Sequence, residues 1–271
     1  MVANMVTVLV SACVLLVEAG CQPRGRASTP DPAVVPGKAA SRVPDEQDVR
    51  VEVLADDVWL HTSYKTLPDL GPFPSNGLIV RTREGIYLVD TAWDDRQTEV
   101  LLRWARANLG APIKYAIVTH AHGDKMGGVA ALHREGVETF AFAQTNEAAA
   151  GRGLVPTKHS LSFTGGAETL AGGQLEALYP GAGHTVDNIV VYVKHADVLF
   201  GGCLVRPSES KGLGNTADAD VGHWDTAVAS VKARYPRARI VVPSHGVPGA
   251  SAMLDHTISI VVERRAQAGS K

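Results

Sequence analysis

The 271-residue sequence lacks an excess of charge of either sign, and it contains only three cysteines. Lys and Arg together number 26 and Asp and Glu 28, which gives a formal net charge of −2. No cluster of Lys and Arg stands out, so we expect neither a nucleic-acid interface nor a basic membrane-binding patch. Because Cys13 and Cys21 lie near the N-terminus, only Cys203 remains in the bulk of the chain, and an internal disulfide is excluded there.

The sequence also lacks an apolar run long enough to cross a bilayer as a helix, which takes about 20 residues. The run in residues 5–17, MVTVLVSACVLLV, is shorter and uncharged, and it is typical of the central segment of a secretion signal. The following EAGC, ending at Cys21, resembles a bacterial lipobox, although Glu18 replaces the usual aliphatic residue and no basic residue precedes Arg24. We therefore predict a signal peptide over residues 1–20, a periplasmic protein, and a lipid at Cys21 that anchors it to the outer membrane.

Residues 21–48 contain five of the 15 prolines and few large apolar residues, a composition that predicts a flexible tether. We place the folded domain at residues 49–271. Its apolar patterns run as strands followed by helices, twice over, and this order predicts an α/β protein with two stacked β-layers flanked by helices. The predicted helices are Gln97–Asn108, capped by Asp94 or Asp95, and segments around Gly127–Arg134, His223–Tyr235 and Ala250–Ala266.

Side chains of the types that bind metals follow four of the predicted strands. His120, His122 and Asp124 occur in THAHGDKMGG, directly after the apolar YAIV. His184 follows LYPGAG, Cys203 follows DVLFGG and His245 follows IVVPS. Glycine-rich loops at strand ends bring side chains from several strands to one rim. The first motif alone also fits a polar turn, but four strand ends that carry ligand types favour a metal site.

The chemistry of this set fits zinc, whose favoured ligands are histidine, aspartate and thiolate. A turn after Thr119 would separate the first three residues, so that two imidazoles reach one metal and the carboxylate reaches a second. The set then divides into three histidines and an Asp–Cys–His group, and two metals would supply a nucleophile and a Lewis acid. A coordinated thiol is deprotonated outright, which would account for Cys203; the alternative is a small buried apolar side chain.

The motifs HAHGDKMGG, GHTVDNIVVY, GGCLV, GNTADAD and SHG, with SNGLIVR and LVDTAW upstream, resemble the class B metallo-β-lactamases of subclass B1 and look closest to the New Delhi type. The resemblance covers about residues 50–267. The His-x-His-x-Asp motif alone marks a wide superfamily of metallo-hydrolases. The cysteine at position 203 restricts the resemblance to the subclass B1 β-lactamases. The resemblance implies a four-layer αβ/βα sandwich in which two β-sheets pack face to face with helices outside.

The resemblance further implies a β-lactamase with two zinc ions per chain, which hydrolyses penicillins, cephalosporins and carbapenems by attack of a zinc-bound hydroxide and confers antibiotic resistance. We expect a monomer that acts on a small β-lactam. The family's pattern places His120, His122 and His184 at the first zinc, and Asp124, Cys203 and His245 at the second. It assigns Arg206 to the substrate carboxylate, Asn215 to the lactam carbonyl, Asp90 to support beneath the metal loops, and Leu67, Leu70, Phe73 and Trp93 to the substrate walls, with residues 65–75 as a mobile flap.

Two other functions remain open at this point. Thioesterases of the glyoxalase II kind and lactonases of the same fold usually have a second histidine directly after the aspartate, where this chain has Lys125. A non-catalytic metal-binding lipoprotein would hold its metal in a closed shell of ligands. The SESK motif at Ser208–Lys211 matches a serine β-lactamase pattern, but the companion S-D-N and K-T-G motifs are absent, and we interpret it as chance. We assign surface or packing roles to the remaining histidines: His61, His133, His159, His195, His223 and His256.

Overall fold

A computed structural model describes residues 48–164 and 166–269 of the chain. The predicted signal peptide (1–20), its lipobox, and all of the predicted tether (21–48) except Asp48 lie outside the described residues. Within the described part of the chain, no helix is both long enough and apolar enough to cross a membrane.

The first sheet has its strands in the order in which they follow one another along the chain. They are β1 (Val49–Ala55), β2 (Val58–Leu67), β3 (Gly71–Arg81), β4 (Ile86–Val89), β5 (Ile113–Val118), β6 (Glu138–Phe142) and β7 (His159–Leu161). Strands β1 to β4 pair antiparallel and strands β4 to β7 pair parallel. Parallel neighbours need a crossover connection, and helix α1 (Asp95–Leu109) supplies it between β4 and β5.

The second sheet contains β8 (Ala167–Leu170), β9 (Leu175–Leu178), β10 (Val190–Val193), β11 (Val198–Gly202) and β12 (Ile240–Pro243). Strands β11 and β12 pair parallel, and the other pairs are antiparallel. The remaining helices are α2 (Gly123–Met126), α3 (Val129–Arg134), α4 (Ala143–Gly151), α5 (Trp224–Arg234) and α6 (Ala252–Gly269), with a short 3-10 helix at Ala171–Gly173.

The two sheets pack face to face, and helices cover both outer faces. Leu78 of β3 and Phe200 of β11 belong to one buried apolar cluster between the sheets. The next residue of β3, Ile79, packs instead with Leu101 of α1, because successive side chains of a strand point to opposite faces. On the other side of the molecule, Trp224 of α5 lies in a cluster with residues of β10 to β12. This arrangement is the predicted four-layer sandwich.

Helix α1 forms where the periodicity predicts it. Asp94 is the N-cap, and its Oδ1 accepts a hydrogen bond from the backbone N–H of Gln97 at 2.8 Å. Leu101 and Trp104 are buried on its inner face. The helix ends at Leu109, and Gly110 is its C-cap, with a φ of 66° in the left-handed region that glycine adopts most easily.

Residues 65–75, predicted to be a mobile loop, form the end of a β-hairpin. Strand β2 continues to Leu67, which pairs with Gly71 at the start of β3. The segment contains Pro72 and Pro74, which favoured a loop in the sequence. A proline is tolerated in a strand that has no partner on one side, and β3 pairs with β4 only at its far end. The prediction of an irregular loop was therefore wrong for most of this segment, and the mobility of the flap stays a prediction.

Three short elements differ from the sequence prediction. The predicted helix Gly127–Arg134 begins later, at Val129, and a separate helical turn, α2, precedes it. Strands β7 and β8 have three and four residues, which is too short for an alternating pattern to stand out. Their places are set by pairing with the neighbouring strands β6 and β9.

Candidate metal centre

The candidate ligands lie at one rim of the sandwich because the strands that precede them end there. Strands β4 and β5 are parallel neighbours in the first sheet, and β11 and β12 are parallel neighbours in the second. Asp90, the segment from His120 to Asp124, Cys203 and His245 follow the carboxyl ends of these four strands, and His184 lies between β9 and β10. In α/β folds the carboxyl ends of parallel strands carry the loops that bind ligands.

Three imidazoles form the first cluster. Nδ1 of His122 lies 3.1 Å from Nε2 of His120 and 3.4 Å from Nε2 of His184. A tetrahedral zinc ion with bonds of about 2.0–2.1 Å to nitrogen holds its ligand atoms about 3.3 Å apart. The observed separations therefore fit one zinc ion bound by three ring nitrogens.

Hydrogen bonding and burial set the orientation and the charge of the rings in this cluster. In the neutral ring, Nε2 of His122 donates to Oδ2 of Asp218 at 2.9 Å, and Nδ1 then carries the lone pair. Hydrogen bonds from Arg152 and His122 lower the pKa of Asp218 to about 2, which keeps it an acceptor. Burial holds the pKa of His120 well below its ordinary value and lowers the pKa of His184 to about 4. Lone pairs that face one another in a buried place are stabilised by a cation.

Asp124, Cys203 and His245 form the second cluster. Oδ2 of Asp124 lies 3.9 Å from Sγ of Cys203 and 3.5 Å from Nε2 of His245, and the sulfur and the nitrogen are 3.5 Å apart. Nδ1 of His245 donates to the carbonyl of Pro74 at 2.7 Å. Because a carbonyl can only accept, Nδ1 carries the proton and Nε2 is free to bind a metal. The oxygen, sulfur and nitrogen donors again fit zinc.

The two clusters adjoin each other. His120 forms a group with His184 and Cys203, and another with His122 and Asp124, in each of which the ligand atoms lie within 4.8 Å of one another. Asp124 and Cys203 belong to the second cluster, so ligand atoms of both clusters lie close to His120. Two ions held here would be neighbours.

Lys125 lies beneath the second cluster and is fully buried. Its Nζ donates to Oγ of Ser75 at 2.7 Å and to a backbone carbonyl of β3 at 3.1 Å, and lies 3.2 Å from Oδ2 of Asp124. Burial by itself would lower the pKa of Lys125, but the charges of Asp124, Cys203 and Asp90 outweigh it and raise the pKa. An ammonium group has no lone pair to give a metal, so Lys125 offsets the negative charge of the second cluster.

Asp90 contacts the chain directly before His120. One of its carboxylate oxygens accepts from the backbone N–H of Thr119 at 2.7 Å, and the other accepts from the Thr119 hydroxyl at 2.9 Å. Its φ of 60° is unusual for a residue with a side chain and costs about 1–3 kcal/mol. Burial raises the pKa of Asp90 to about 7, against the opposing charge of Lys125 at 3.7 Å. Asp90 therefore holds the loop that presents His120.

A cavity of about 720 Å³ opens above the two clusters. The residues predicted to contact substrate all line it: Leu67, Leu70, Phe73, Trp93, Arg206 and Asn215. The Phe73 ring lies 4.7 Å from the His245 ring and 6.4 Å from the Trp93 ring, measured between centroids. Leu70, near the hairpin tip, is 63% exposed. The cavity thus has an apolar wall on the hairpin side and a guanidinium within its lining.

Some residues at the site are not singled out by the sequence. Asp218 accepts from Nη1 of Arg152 at 3.0 Å with the same oxygen that binds His122. Oγ of Ser75 donates to the backbone carbonyl of Asp124 at 3.1 Å, and Asp187 accepts from the backbone N–H of Ala121 at 2.9 Å. The signal for Asp218, Ser75 and Asp187 was their place in GNTADAD, SNGLIVR and GHTVDN, motifs that carried the resemblance; Arg152 has no such signal.

The other histidines contribute to none of the metal-binding groups found among the described residues. Ser208 of the SESK motif is exposed and lies in a turn, whereas a catalytic serine of that type needs a helix. The SESK motif therefore stays interpreted as chance, and the roles of the other histidines stay predictions.

The family model described as the metallo-beta-lactamase superfamily matches residues 70–245. This match covers more than half of the chain. The chain belongs to this superfamily. Among the relatives of this metallo-β-lactamase, the metallo-beta-lactamase type 2 of Bacteroides fragilis is 37% identical over 231 residues, which cover 85% of this chain and 91% of the relative.

Solved structures of other metallo-β-lactamases have the same fold. FIM-1 from Pseudomonas aeruginosa, in its mono-zinc form, is 44% identical with a TM-score of 0.78, covering 82% of this chain and 98% of that one. The metallo-β-lactamase of Hirschia baltica is 44% identical with a TM-score of 0.76, covering 79% of this chain and 98% of that one. The predicted fold, the predicted class of enzyme and the dependence of the family on zinc are thereby confirmed, and the homologues are of B1 type.

Proposed function

We propose that this metallo-β-lactamase hydrolyses the amide bond of β-lactam antibiotics with two zinc ions. The observation that carries the proposal is the pair of adjoining donor clusters beneath a cavity of about 720 Å³. A drug-sized ligand needs a cavity of about 300–1,000 Å³, so a penicillin or cephalosporin fits the available space.

Zinc at the two clusters would supply an activated water and a Lewis acid for the lactam carbonyl. The chain's own residues prepare that chemistry. The Asp218 carboxylate and the Pro74 carbonyl fix the rings of His122 and His245, each by accepting a hydrogen bond from the ring nitrogen that faces away from the cluster. Lys125 offsets the charge of the second cluster. The donors are therefore arranged before substrate arrives.

We assign the substrate contacts as follows. The Arg206 guanidinium binds the carboxylate that penicillins and cephalosporins share, since its donors match a carboxylate in geometry and charge. The Asn215 side chain accepts from the backbone N–H of Ala217 at 3.0 Å with its oxygen, which leaves its amide N–H groups for the lactam carbonyl. Leu67, Phe73 and Trp93 exclude water from one side of the cavity and pack against apolar substituents.

The thioesterase and lactonase alternative is less well supported. That arrangement needs a metal ligand directly after the aspartate, and this chain has the buried, charged Lys125 there. A non-catalytic metal-binding protein is disfavoured because the ligands lie at the floor of an open cavity instead of in a closed shell.

The test is turnover of a chromogenic cephalosporin by the zinc-loaded protein. We expect hydrolysis that a chelator abolishes and that added zinc restores. Absence of turnover with two zinc ions bound would refute β-lactam hydrolysis. Turnover that persists after removal of the metal would refute the zinc mechanism. A carbapenem assayed in parallel tests the range of substrates.

Export to the periplasm, a lipid at Cys21, a monomeric state and particular similarity to the New Delhi type stay predictions. Cys21 and the signal peptide lie outside the described residues. Mass spectrometry of the mature N-terminus tests the first two together, because lipidation leaves an acylated Cys21 as the first residue.

A further inference from the structure

The loop that follows Arg206 holds the guanidinium in place. Nε of Arg206 donates to the carbonyl of Gly212 at 3.2 Å, and Nη2 donates to the hydroxyl of Ser210 at 3.3 Å. The two partners come from residues 207–214, the segment that contains the SESK motif. The edge of the guanidinium that carries Nε and Nη2 is therefore hydrogen-bonded to the loop that follows Arg206.

Gly214 lies beside the guanidinium. A Cβ atom placed on Gly214 would lie 3.4 Å from both Nη1 and Nη2 of Arg206, and its φ of 71° is one that glycine adopts most easily. The Gly214 backbone therefore runs close to the Nη1 and Nη2 end of the guanidinium.

Helix α6 fixes the loop from the other side. Nε2 of His256 lies 2.9 Å from the carbonyl of Ser210, which can only accept, so Nε2 carries the proton and donates. At the start of the loop, the backbone N–H of Arg206 donates to the hydroxyl of Thr257 at 2.9 Å, and that hydroxyl donates to the carbonyl of Met253. Arg206 and Ser210 are therefore both tied to helix α6.

We propose that Ser210, Gly212, Gly214 and His256 form a clamp that orients Arg206 before a carboxylate-bearing substrate binds, with Ser210 and His256 as positioning residues for that recognition. The inference rests on the proposed function and assigns a role to the SESK segment, whose resemblance to a catalytic motif is chance. An arginine that is already fixed loses little side-chain entropy on binding, which is worth about 2- to 10-fold in affinity. The N–H groups not used by the clamp remain for the carboxylate.

The decisive comparison uses a penicillin and its methyl ester, which differ only in the carboxylate. In Ser210→Ala and in His256→Ala we expect the KM for the acid to rise about 3- to 10-fold, with kcat changed less than about 2-fold, and the KM for the ester to stay unchanged. Ser210→Thr and His256→Gln keep the acceptor and the donor and should restore the KM. Ser208→Ala, an exposed serine of the same segment, is the matched control. Equal zinc content in all variants excludes a general loss of structure.

An equal rise of KM for acid and ester would overturn the clamp, and so would unchanged KM values in both variants. If the wild-type protein hydrolyses neither compound, the proposed function is refuted. A second measurement, which needs no turnover, then tests the clamp by itself. The rate at which phenylglyoxal modifies Arg206, followed by mass spectrometry, should rise in Ser210→Ala and His256→Ala, whereas that of Arg81, which pairs with Asp57, should not change. An unchanged rate at Arg206 would contradict a clamped guanidinium.

Discussion

At the scale of single residues, the metal centre depends on which nitrogen of each ring carries the proton. His122 donates to a carboxylate and His245 to a backbone carbonyl, in both cases from the nitrogen that faces away from the cluster. The remaining nitrogen of each ring then has a free lone pair in the right direction. Partners of this kind, as well as the ligands themselves, make the rings ready for a metal.

Replacement of Cys203 by serine tests the second cluster. We expect Cys203→Ser to fold and to keep one zinc ion, because the three imidazoles are untouched. The affinity of the second site for zinc should fall about 10- to 100-fold, because a serine hydroxyl keeps its proton whereas a cysteine thiol binds zinc as the thiolate. Metal analysis after dialysis against a weak chelator measures the stoichiometry, and circular dichroism checks the fold. Two tightly bound zinc ions in this variant would contradict the assignment of Cys203.

At the scale of elements, the glycines after Asp124 allow close packing of two chain segments. A Cβ atom on Gly127 would lie 2.2 Å from the carbonyl oxygen of Trp93, and one on Gly128 would lie 1.9 Å from Oγ1 of Thr98. Helices α2 and α3 can therefore approach the β4–α1 connection and the first turn of α1 because these positions lack side chains. Gly123, in the same motif, has no atom within 4 Å of such a Cβ.

This difference predicts opposite outcomes for two alanine substitutions. Gly127→Ala should lower the free energy of unfolding by about 2–3 kcal/mol or more, because the clash is with backbone that has little freedom to move. Gly123→Ala should change it by less than about 0.5 kcal/mol. Urea unfolding of both variants and the wild type at equal zinc measures the values. A similar loss in the two variants would show that the close contact at Gly127 has no special cost.

At the scale of the whole molecule, a fully buried histidine links stability to pH. His61 of β2 donates from Nε2 to the carbonyl of Asp90 at 3.2 Å and packs against Gly77 of β3. Burial, assisted by the charge of Lys125, lowers its pKa from 6.5 to about 4. Between these two values the unfolded chain binds a proton that the folded chain does not.

The free energy of unfolding should therefore fall as the pH decreases from about 6.5 to about 4, and His61 should add no pH dependence above that range. The full effect of a shift of this size is about 3 kcal/mol. His61→Gln keeps a donor for the Asp90 carbonyl but does not titrate, so its stability should depend less on pH than that of the wild type. Urea unfolding at pH 5 and pH 7 for both proteins checks the difference. Identical changes in the two proteins would remove His61 as the cause.

Much of the fold and of the candidate ligand set could be predicted from the sequence. Helix α1 follows from its apolar stripe and its Asp94 cap. The six candidate ligand residues follow the ends of strands that their apolar patterns identify. The hairpin at residues 65–75 and the strands β7 and β8 could not be predicted, because their pairing partners, and not their own patterns, decide their conformation. The burial of Lys125 could not be predicted either, because the residue lies in a polar sequence motif.

The sequence by itself determined which chemical groups are available and at which strand ends they occur, because ligand types and strand patterns are local properties of the chain. Only the tertiary structure decided which atoms face one another. His122 and Asp218 are 96 residues apart, and Arg206 is held through Ser210 by a histidine of the last helix. Such contacts require that distant segments meet in one register, and the packing of both sheets and their helices sets that register.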